Sequence, residues 1–407
     1  MAYRATAAEP AQVRISLPLG RMNWLLLGCV AVLMALGLGA IAAVEPGDFS
    51  SQLMWCGLGL AVLLASTIPH YERLGRWSYA LFAACLAGLV LLFVLPESIA
   101  RPVNGSRRWI RFGGVGLQPS EFAKVAYVLA LAWYLRWRRN YRRLTGLLMP
   151  AGLAFVPMVL ILRQPDLGTA LLFVPAMLAM LFAAGARMRH FVAVVLLCLL
   201  ALPLVWAHLK PYQKLRISGL LMQSEQVRER IREDDSWRRV LYPFEQRSID
   251  AWATNEGYQV NQAKIALGSG GLLGNGLWDG PFTRKDMLPE SHNDFILAII
   301  GHQWGLMGTL VVLLCYLAIG IVGLDVATRT NDPFGRLLVV GLTSLLLVQA
   351  LLNTGMVVGL LPVTGSALPF VSAGGSSMLA NCLCIGLIQN IAARRPQILV
   401  RRVFAFD

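Results

Sequence analysis

The sequence predicts an all-α fold: a polytopic membrane helix bundle with about ten transmembrane helices and one large extracytoplasmic loop. Three observations predict it. Hydrophobic residues make up 57% of the chain and charged residues only 14%, where a soluble domain carries about a quarter charged residues. The apolar residues gather into runs close to the ~20 residues that a spanning helix needs. Those runs are continuously apolar and do not alternate, which argues for helices and against a transmembrane barrel. The net charge of +14 does not indicate nucleic acid, because most of it sits in short loops beside spans, where orientation signals belong.

The elements follow in order. Residues 1–22 form a polar N-terminal tail with Arg4, Arg14 and Arg21. The run 23–44 is too long for a signal-peptide core and reads as an uncleaved first span. Further spans are expected at 53–69, 77–95, 120–135, 147–162, 168–184, 191–209, 295–323, 335–358 and 373–392. Transmembrane helices 1–7 thus occupy 23–209 and helices 8–10 occupy 294–393, with the large loop at 210–293 and a tail at 394–407. The shortest run, 120–135, sits at the lower limit for a span and is expected to be tilted or partly buried in the bundle. All seven Cys fall in apolar runs and read as small core residues. An even number of spans puts both termini on one side. Loops on that side carry Arg73, Arg76, Arg136, Arg138, Arg139, Arg142, Arg143, Arg187, Arg189, Arg329 and Arg336, and the tail adds Arg394, Arg395, Arg401 and Arg402. The first opposite loop, 45–51, has two acids and no Lys or Arg. Both termini are therefore expected to be cytoplasmic.

One outer loop departs from the charge rule. Residues 96–119 hold Arg101, Arg107, Arg108 and Arg111, with Trp109 among them. Either the other loops outvote it, or its guanidinium forks bind something anionic on the outer face. Next, Gln118-Pro119-Ser120-Glu121 opens the fourth span as a helix start, and Lys124 follows Glu121 on the same face. The pair is either a structural ion pair or the wall of a polar cavity. The outer turn Arg163-Gln164-Pro165-Asp166 again sets a cation and an acid about a proline.

The long extramembrane segment is not uniform. Residues 212–221 are amphipathic and basic, 224–240 are densely charged at helical spacing and read as a solvated helix or partner surface, and 245–255 read as loop. The glycine-rich run 268–276 matches no phosphate-binding motif. It is expected to let backbone pass close to backbone, or to turn back at the membrane surface. The segment ends in Leu288-Pro-Glu-Ser-His-Asn-Asp-Phe295, which brings Glu290, His292 and Asp294 to the edge of a span. Ionisable groups at such a boundary mark ion movement or chemistry. After the ninth span, 361–377 breaks an apolar run with two Pro and three Gly. Non-helical backbone at membrane depth must be buried in protein or line a wet cavity.

Together these stretches resemble the SEDS family (shape, elongation, division and sporulation proteins), whose members include RodA and FtsW. The resemblance rests on Asn104-Gly-Ser-Arg-Arg-Trp109, Gln118-Pro-Ser-Glu-Phe-Ala-Lys124, Arg163-Gln-Pro-Asp-Leu-Gly-Thr-Ala170, Tyr258-Gln259 with the glycine run, 288–295 and 361–377, all in family order. The chain departs from the family pattern at Gly301-His-Gln-Trp-Gly305, where an acid pair is common, and at Asn293, Leu297 and Ala373. The resemblance implies a peptidoglycan glycosyltransferase of the bacterial cytoplasmic (inner) membrane. Such an enzyme polymerises lipid II on the outer face and works with a class B penicillin-binding protein and other divisome or elongasome proteins. It implies that Asp294 is the essential acidic residue and that Arg107, Arg108, Trp109, Glu121, Lys124 and Asp166 line the cavity. Arg163, Glu290, His292 and Ser376 join the substrate-binding set.

The chemistry asks for a base at the attacking sugar hydroxyl and cations at the leaving pyrophosphate. Asp294 is the expected base; Arg107, Arg108, Arg163 and Lys124 are the expected cations. His292 is read either as a local cap or as a catalytic group. No cofactor is required, although Glu290, His292 and Asp294 leave room for a divalent cation, Mg2+ or Mn2+. Two other readings stay open: a lipid II flippase, since broken helices and a polar cavity also suit transport, and an inactive scaffold of a wall-synthesis complex. Division and elongation types are not separated by the sequence.

Overall fold

The computed structural model describes residues 22–100, 107–112, 115–137, 144–208, 211–234, 237–238, 241, 257–284 and 287–394. Both tails, the 104–106 turn, the arginine-rich 138–143 stretch and the 245–255 loop lie outside the described residues. The chain opens with three long helices, α1 (Trp24–Val44), α2 (Pro46–Thr67) and α3 (Tyr71–Val94). A hairpin of β1 (Ile110–Phe112) and β2 (Val115–Leu117) then leads into α4 (Pro119–Leu135). Next come α5 (Leu148–Arg163), α6 (Leu167–Leu171), α7 (Phe173–Ala183) and α8 (Met188–His208). The expected large loop holds α9 (Pro211–Leu221), α10 (Glu225–Glu233), α11 (Tyr258–Ser269) and α12 (Pro281–Arg284). Three long helices end the bundle: α13 (Ile296–Arg329), α14 (Pro333–Val357) and α15 (Gly375–Ala393). Among the described residues, α1, α2, α3, α13, α14 and α15 are long and apolar enough to cross a membrane. The all-α bundle is as expected, apart from the antiparallel hairpin, which pairs Arg111 with Gly116.

Local chemistry sets the helix ends. Asn23 caps α1 by accepting from Leu26 N, and Asp332 caps α14 by accepting from Phe334 and Gly335 N. Proline stands at the first helical position of α2, α4 and α14. One boundary differs in a way that matters. The loop expected at 45–51 shrinks to Glu45, because Pro46 starts α2 and Asp48 sits in its first turn, where the helix dipole favours an acid. The run 168–184 is not one regular helix: Pro175 cannot donate to Leu171, and the helix is interrupted at Leu172. Helix α4 is buried along most of its length, on all sides. Its neighbours include α3, α7, α14 and α15.

The glycine-rich run makes the close backbone approach expected of it. Helix α13 breaks at Gly305, which has φ 64° and ψ −157°. The loop after α11 docks into the break. Asn275 N donates to His302 O at 3.0 Å and Gly276 N to Gln303 O at 3.1 Å. In return Leu306 N donates to Gly271 O at 2.9 Å and Met307 N to Leu272 O at 3.2 Å. A β-carbon at Gly270 or Gly274 would collide with the carbonyl of Gly301 or Gln303. Gly274 also has φ +85°, so glycine is required there twice over. The broken helix thereby recovers the hydrogen bonds that a lipid-facing break would leave unmade.

Candidate active site

A cavity of about 920 Å³ opens at one end of the bundle. The hairpin arm, the start of α4, the 165–166 turn, Gln259, the 290–294 turn and the 361–377 loop contribute to it, joined by the start of α2. The first wall is the arm before and within the hairpin, with Arg108, Trp109 and Arg111, continuing through Gln118 to Glu121 on α4. Arg108 donates to Gln164 O at 2.9 Å and also to Pro165 O, which staples this arm to the turn between α5 and α6. Arg111 is exposed, and its side chain has no hydrogen bond or ion pair among the described residues. Asp166 lines the cavity but is only 3% exposed. It caps α6 by accepting from Thr169 N and Oγ1, and it accepts from Gln118 Nε2 at 3.1 Å.

The second wall is the turn 290–294 and the loop it rests on. Glu290 has φ 54°, a left-handed conformation uncommon for a non-glycine residue. That conformation lets its carbonyl accept from both Asn293 N and Phe295 N, closing the turn. Asn293 Nδ2 bridges Glu290 Oε2 at 2.8 Å and His292 Nε2 at 3.1 Å. The turn is held from behind. Ala373 N donates to His292 O at 2.9 Å, Ser372 Oγ to Asn293 O at 2.6 Å, and Asn353 Nδ2 to Asp294 O at 2.7 Å. Asp294 therefore stands on a backbone fixed by three partners, and its residue lines the cavity. His292 Nε2 lies 4.0 Å from Asp48 Oδ2 of α2.

Behind the lining runs a buried polar chain. Lys124 is 1% exposed; its Nζ lies 2.8 Å from Glu121 Oε2 and donates to Gln349 Oε1 at 2.7 Å. Gln349 Nε2 then donates to Ala367 O at 2.8 Å. Glu121 reaches the cavity and Lys124 does not. Ser376 is likewise buried, accepting from Gln118 N and donating to Gly116 O, so it ties the hairpin to α15.

Of the expected site residues, the structure brings Asp294, Arg108, Trp109, Glu121, Asp166, Glu290 and His292 to one cavity, with Lys124 and Ser376 directly behind it. It does not bring Arg107 or Arg163 there. Arg107 pairs with Glu97 at 2.6 Å on the surface, and Arg163 is exposed in the last turn of α5. The sequence reading passed over Asp48, Ser51, Gln52 and Trp55, which line the cavity from α2. Their i, i+3, i+4, i+7 spacing was the available signal, concealed by treating 45–51 as loop. Among the described residues, no three His, Cys, Asp or Glu side chains converge as metal ligands. The unusual 301–305 stretch lies elsewhere: His302 Nδ1 meets Ser269 Oγ at 2.7 Å, and Gln303 donates to Leu277 O at 3.1 Å. Both hold the docked glycine loop.

The sequence and architecture are those of a known group. The family model for FtsW, RodA and SpoVE, described as cell cycle protein, matches residues 17–397. The chain is 33% identical over 375 residues to a probable peptidoglycan glycosyltransferase FtsW from Geobacter metallireducens, covering 90% of this chain and 92% of that one. It is 30% identical over 405 residues to the peptidoglycan glycosyltransferase RodA of Treponema pallidum, covering 88% and 93%. Its fold superposes with a TM-score of 0.73 and 28% identity on a chain from work on the structural coordination of polymerization and crosslinking by a peptidoglycan synthase complex, covering 92% of this chain and 99% of that one. With the matched region extending from before the first helix to beyond the last, this chain belongs to the FtsW/RodA/SpoVE family.

Proposed function

We propose that the protein is a peptidoglycan glycosyltransferase that polymerises lipid II at the outer face of the bacterial cytoplasmic membrane. The observation that carries this reading is the position of Asp294, on a rigid turn in a cavity whose facing arm supplies Arg108 and Arg111. Asp294 takes the proton from the acceptor sugar hydroxyl as its oxygen attacks the anomeric carbon of the donor. The bond from that carbon to the lipid pyrophosphate breaks, and the pyrophosphate leaves with the bonding electrons. Arg108 and Arg111 stabilise its charge. A single displacement inverts the anomeric centre. No step is routed through a metal ion.

The same reading orders the chain. Helices α4, α5, α6 with α7, and α8 join the six long helices to make ten spans, with both termini cytoplasmic and 210–293 outside. A class B penicillin-binding protein is the expected partner, since the matched synthase-complex structure concerns polymerization together with crosslinking. The similar identities to an FtsW and a RodA support either a division or an elongation role. A lipid flippase or an inactive scaffold would need no base at Asp294. The test is lipid II polymerisation by the purified protein, with and without its partner, beside Asp294→Asn folded to the same extent. The parent makes glycan strands and the variant loses at least about 100-fold in rate. Strands made at the parental rate by the variant would refute the assignment of the base.

A further inference from the structure

The cavity is chemically lopsided. Its Arg side chains, Arg108 and Arg111, lie on the hairpin arm, whereas α2 contributes Asp48, Ser51, Gln52 and Trp55 and no cation. A phosphate placed against α2 would meet the Asp48 carboxylate. A sugar would meet an indole and a hydrogen-bond acceptor. We propose that this face of α2 is the saccharide-binding wall: Trp55 is the stacking platform for a pyranose ring, and Asp48 accepts hydrogen bonds from its hydroxyls. The inference rests on the glycosyl-transfer reading above and says which wall takes which part of the substrate.

The geometry supports a built wall. Gln52 is 3% exposed and spends both ends of its amide on backbone: Nε2 donates to Ser372 O at 3.3 Å, and Oε1 accepts from Gly374 N at 3.1 Å. The residues between, Ser372 and Ala373, are the ones that bond Asn293 O and His292 O. Two links of hydrogen bonding therefore fix α2 against the turn that carries Asp294. Trp55 is held as well. Its indole lies so close over Gly375 that a β-carbon there would collide with the ring, and Trp55, half-buried, lines the cavity. An aromatic face carries negative charge density that suits the C–H face of a sugar, and a carboxylate is a strong acceptor for hydroxyls. The wall is thus placed to hold a sugar beside the base, while the cationic arm holds pyrophosphate.

The test separates sugar binding from chemistry. The probe is a soluble, phosphate-free tetrasaccharide of the lipid II disaccharide repeat, titrated into the full-length protein in detergent. The parent binds it. Trp55→Ala and Asp48→Ala weaken binding at least tenfold, Trp55→Phe retains most of it, and Arg111→Gln leaves it unchanged. In polymerisation assays Trp55→Phe keeps turnover and raises KM less than Trp55→Ala. The proposal is overturned if the parent binds no tetrasaccharide, if folded Trp55→Ala binds it as the parent does, or if Arg111→Gln loses as much as Trp55→Ala. A parent that binds the tetrasaccharide through Trp55 but makes no polymer from lipid II supports the wall and sinks the polymerase reading. A parent that polymerises lipid II, with Trp55→Ala unimpaired in binding, sinks the wall alone.

Discussion

Lys124→Met strands a buried carboxylate. Lys124 is 1% exposed and its Nζ lies 2.8 Å from Glu121 Oε2. Removing one partner of such a pair costs about 3–5 kcal/mol, because the remaining charge is left without compensation. Glu121 lines the cavity, and its side chain is 8% exposed. Water in the cavity can solvate part of the stranded carboxylate, so the loss falls at the lower end, about 3 kcal/mol. The converse variant, Glu121→Gln, strands an ammonium that has no access to the cavity and is left with neutral amide oxygens, Gln349 Oε1 among them, in place of a carboxylate. Its loss falls at the upper end, about 5 kcal/mol. The double variant Lys124→Met/Glu121→Gln strands neither charge and regains most of the stability, since neutral replacement of a buried pair is often close to neutral. Unfolding in detergent, followed by tryptophan fluorescence, gives the three free energies and hence the coupling. Single variants as stable as the parent, or a double variant whose loss is the sum of the two, would refute the argument that this pair is a desolvated unit.

Three further outcomes follow from the geometry. Arg108→Gln lowers lipid II turnover by at least about tenfold, through a lost phosphate contact and a loosened α5–α6 turn. Arg107→Gln, which breaks only the surface pair with Glu97, changes stability by under about 1 kcal/mol and leaves turnover within about twofold. Gly305→Ala forces a β-carbon onto φ 64° against the backbone of Leu272 and Gly274, and it destabilises by about 1–3 kcal/mol in the same unfolding assay. A neutral result for Gly305→Ala would mean that the docked loop yields easily.

The sequence disclosed the long apolar helices because hydrophobicity is local and additive along the chain. The start of α2 was concealed by the same reasoning. Asp48, Ser51 and Gln52 lower local hydropathy, so the span was placed from residue 53, although Pro46 and Asp48 are good helix-start residues. The stretches that motif order marked bring Asp294, Arg108 and Asp166 to one cavity in the fold. Motif order could not distinguish Arg107 from Arg108. The two neighbours carry the same charge and the same sequence signal, and only the fold decides that Arg107 meets Glu97 while Arg108 lines the cavity. Nor could it assign Gln349 and Asn353. An amide inside an apolar span can serve any backbone group that passes, and the group is known only once 361–374 is placed.

That placement explains why the site is rigid. Residues 358–374 run without regular helix through the bundle, and their backbone groups must find partners where water is scarce. The partners come from surrounding side chains. Gln52 serves Ser372 and Gly374, Gln349 serves Ala367, Asn353 serves Ser366, and Tyr316 donates to Pro369 O at 2.5 Å. Asn353 uses the same amide nitrogen to hold Asp294 O, and Ser372 joins Leu368 N to Asn293 O. Satisfying the loop and fixing the turn are therefore one network. A substitution such as Asn353→Leu, of similar size and without an amide, releases carbonyls on both sides at once. It loosens Asp294 without touching the cavity surface, and turnover falls further than stability does.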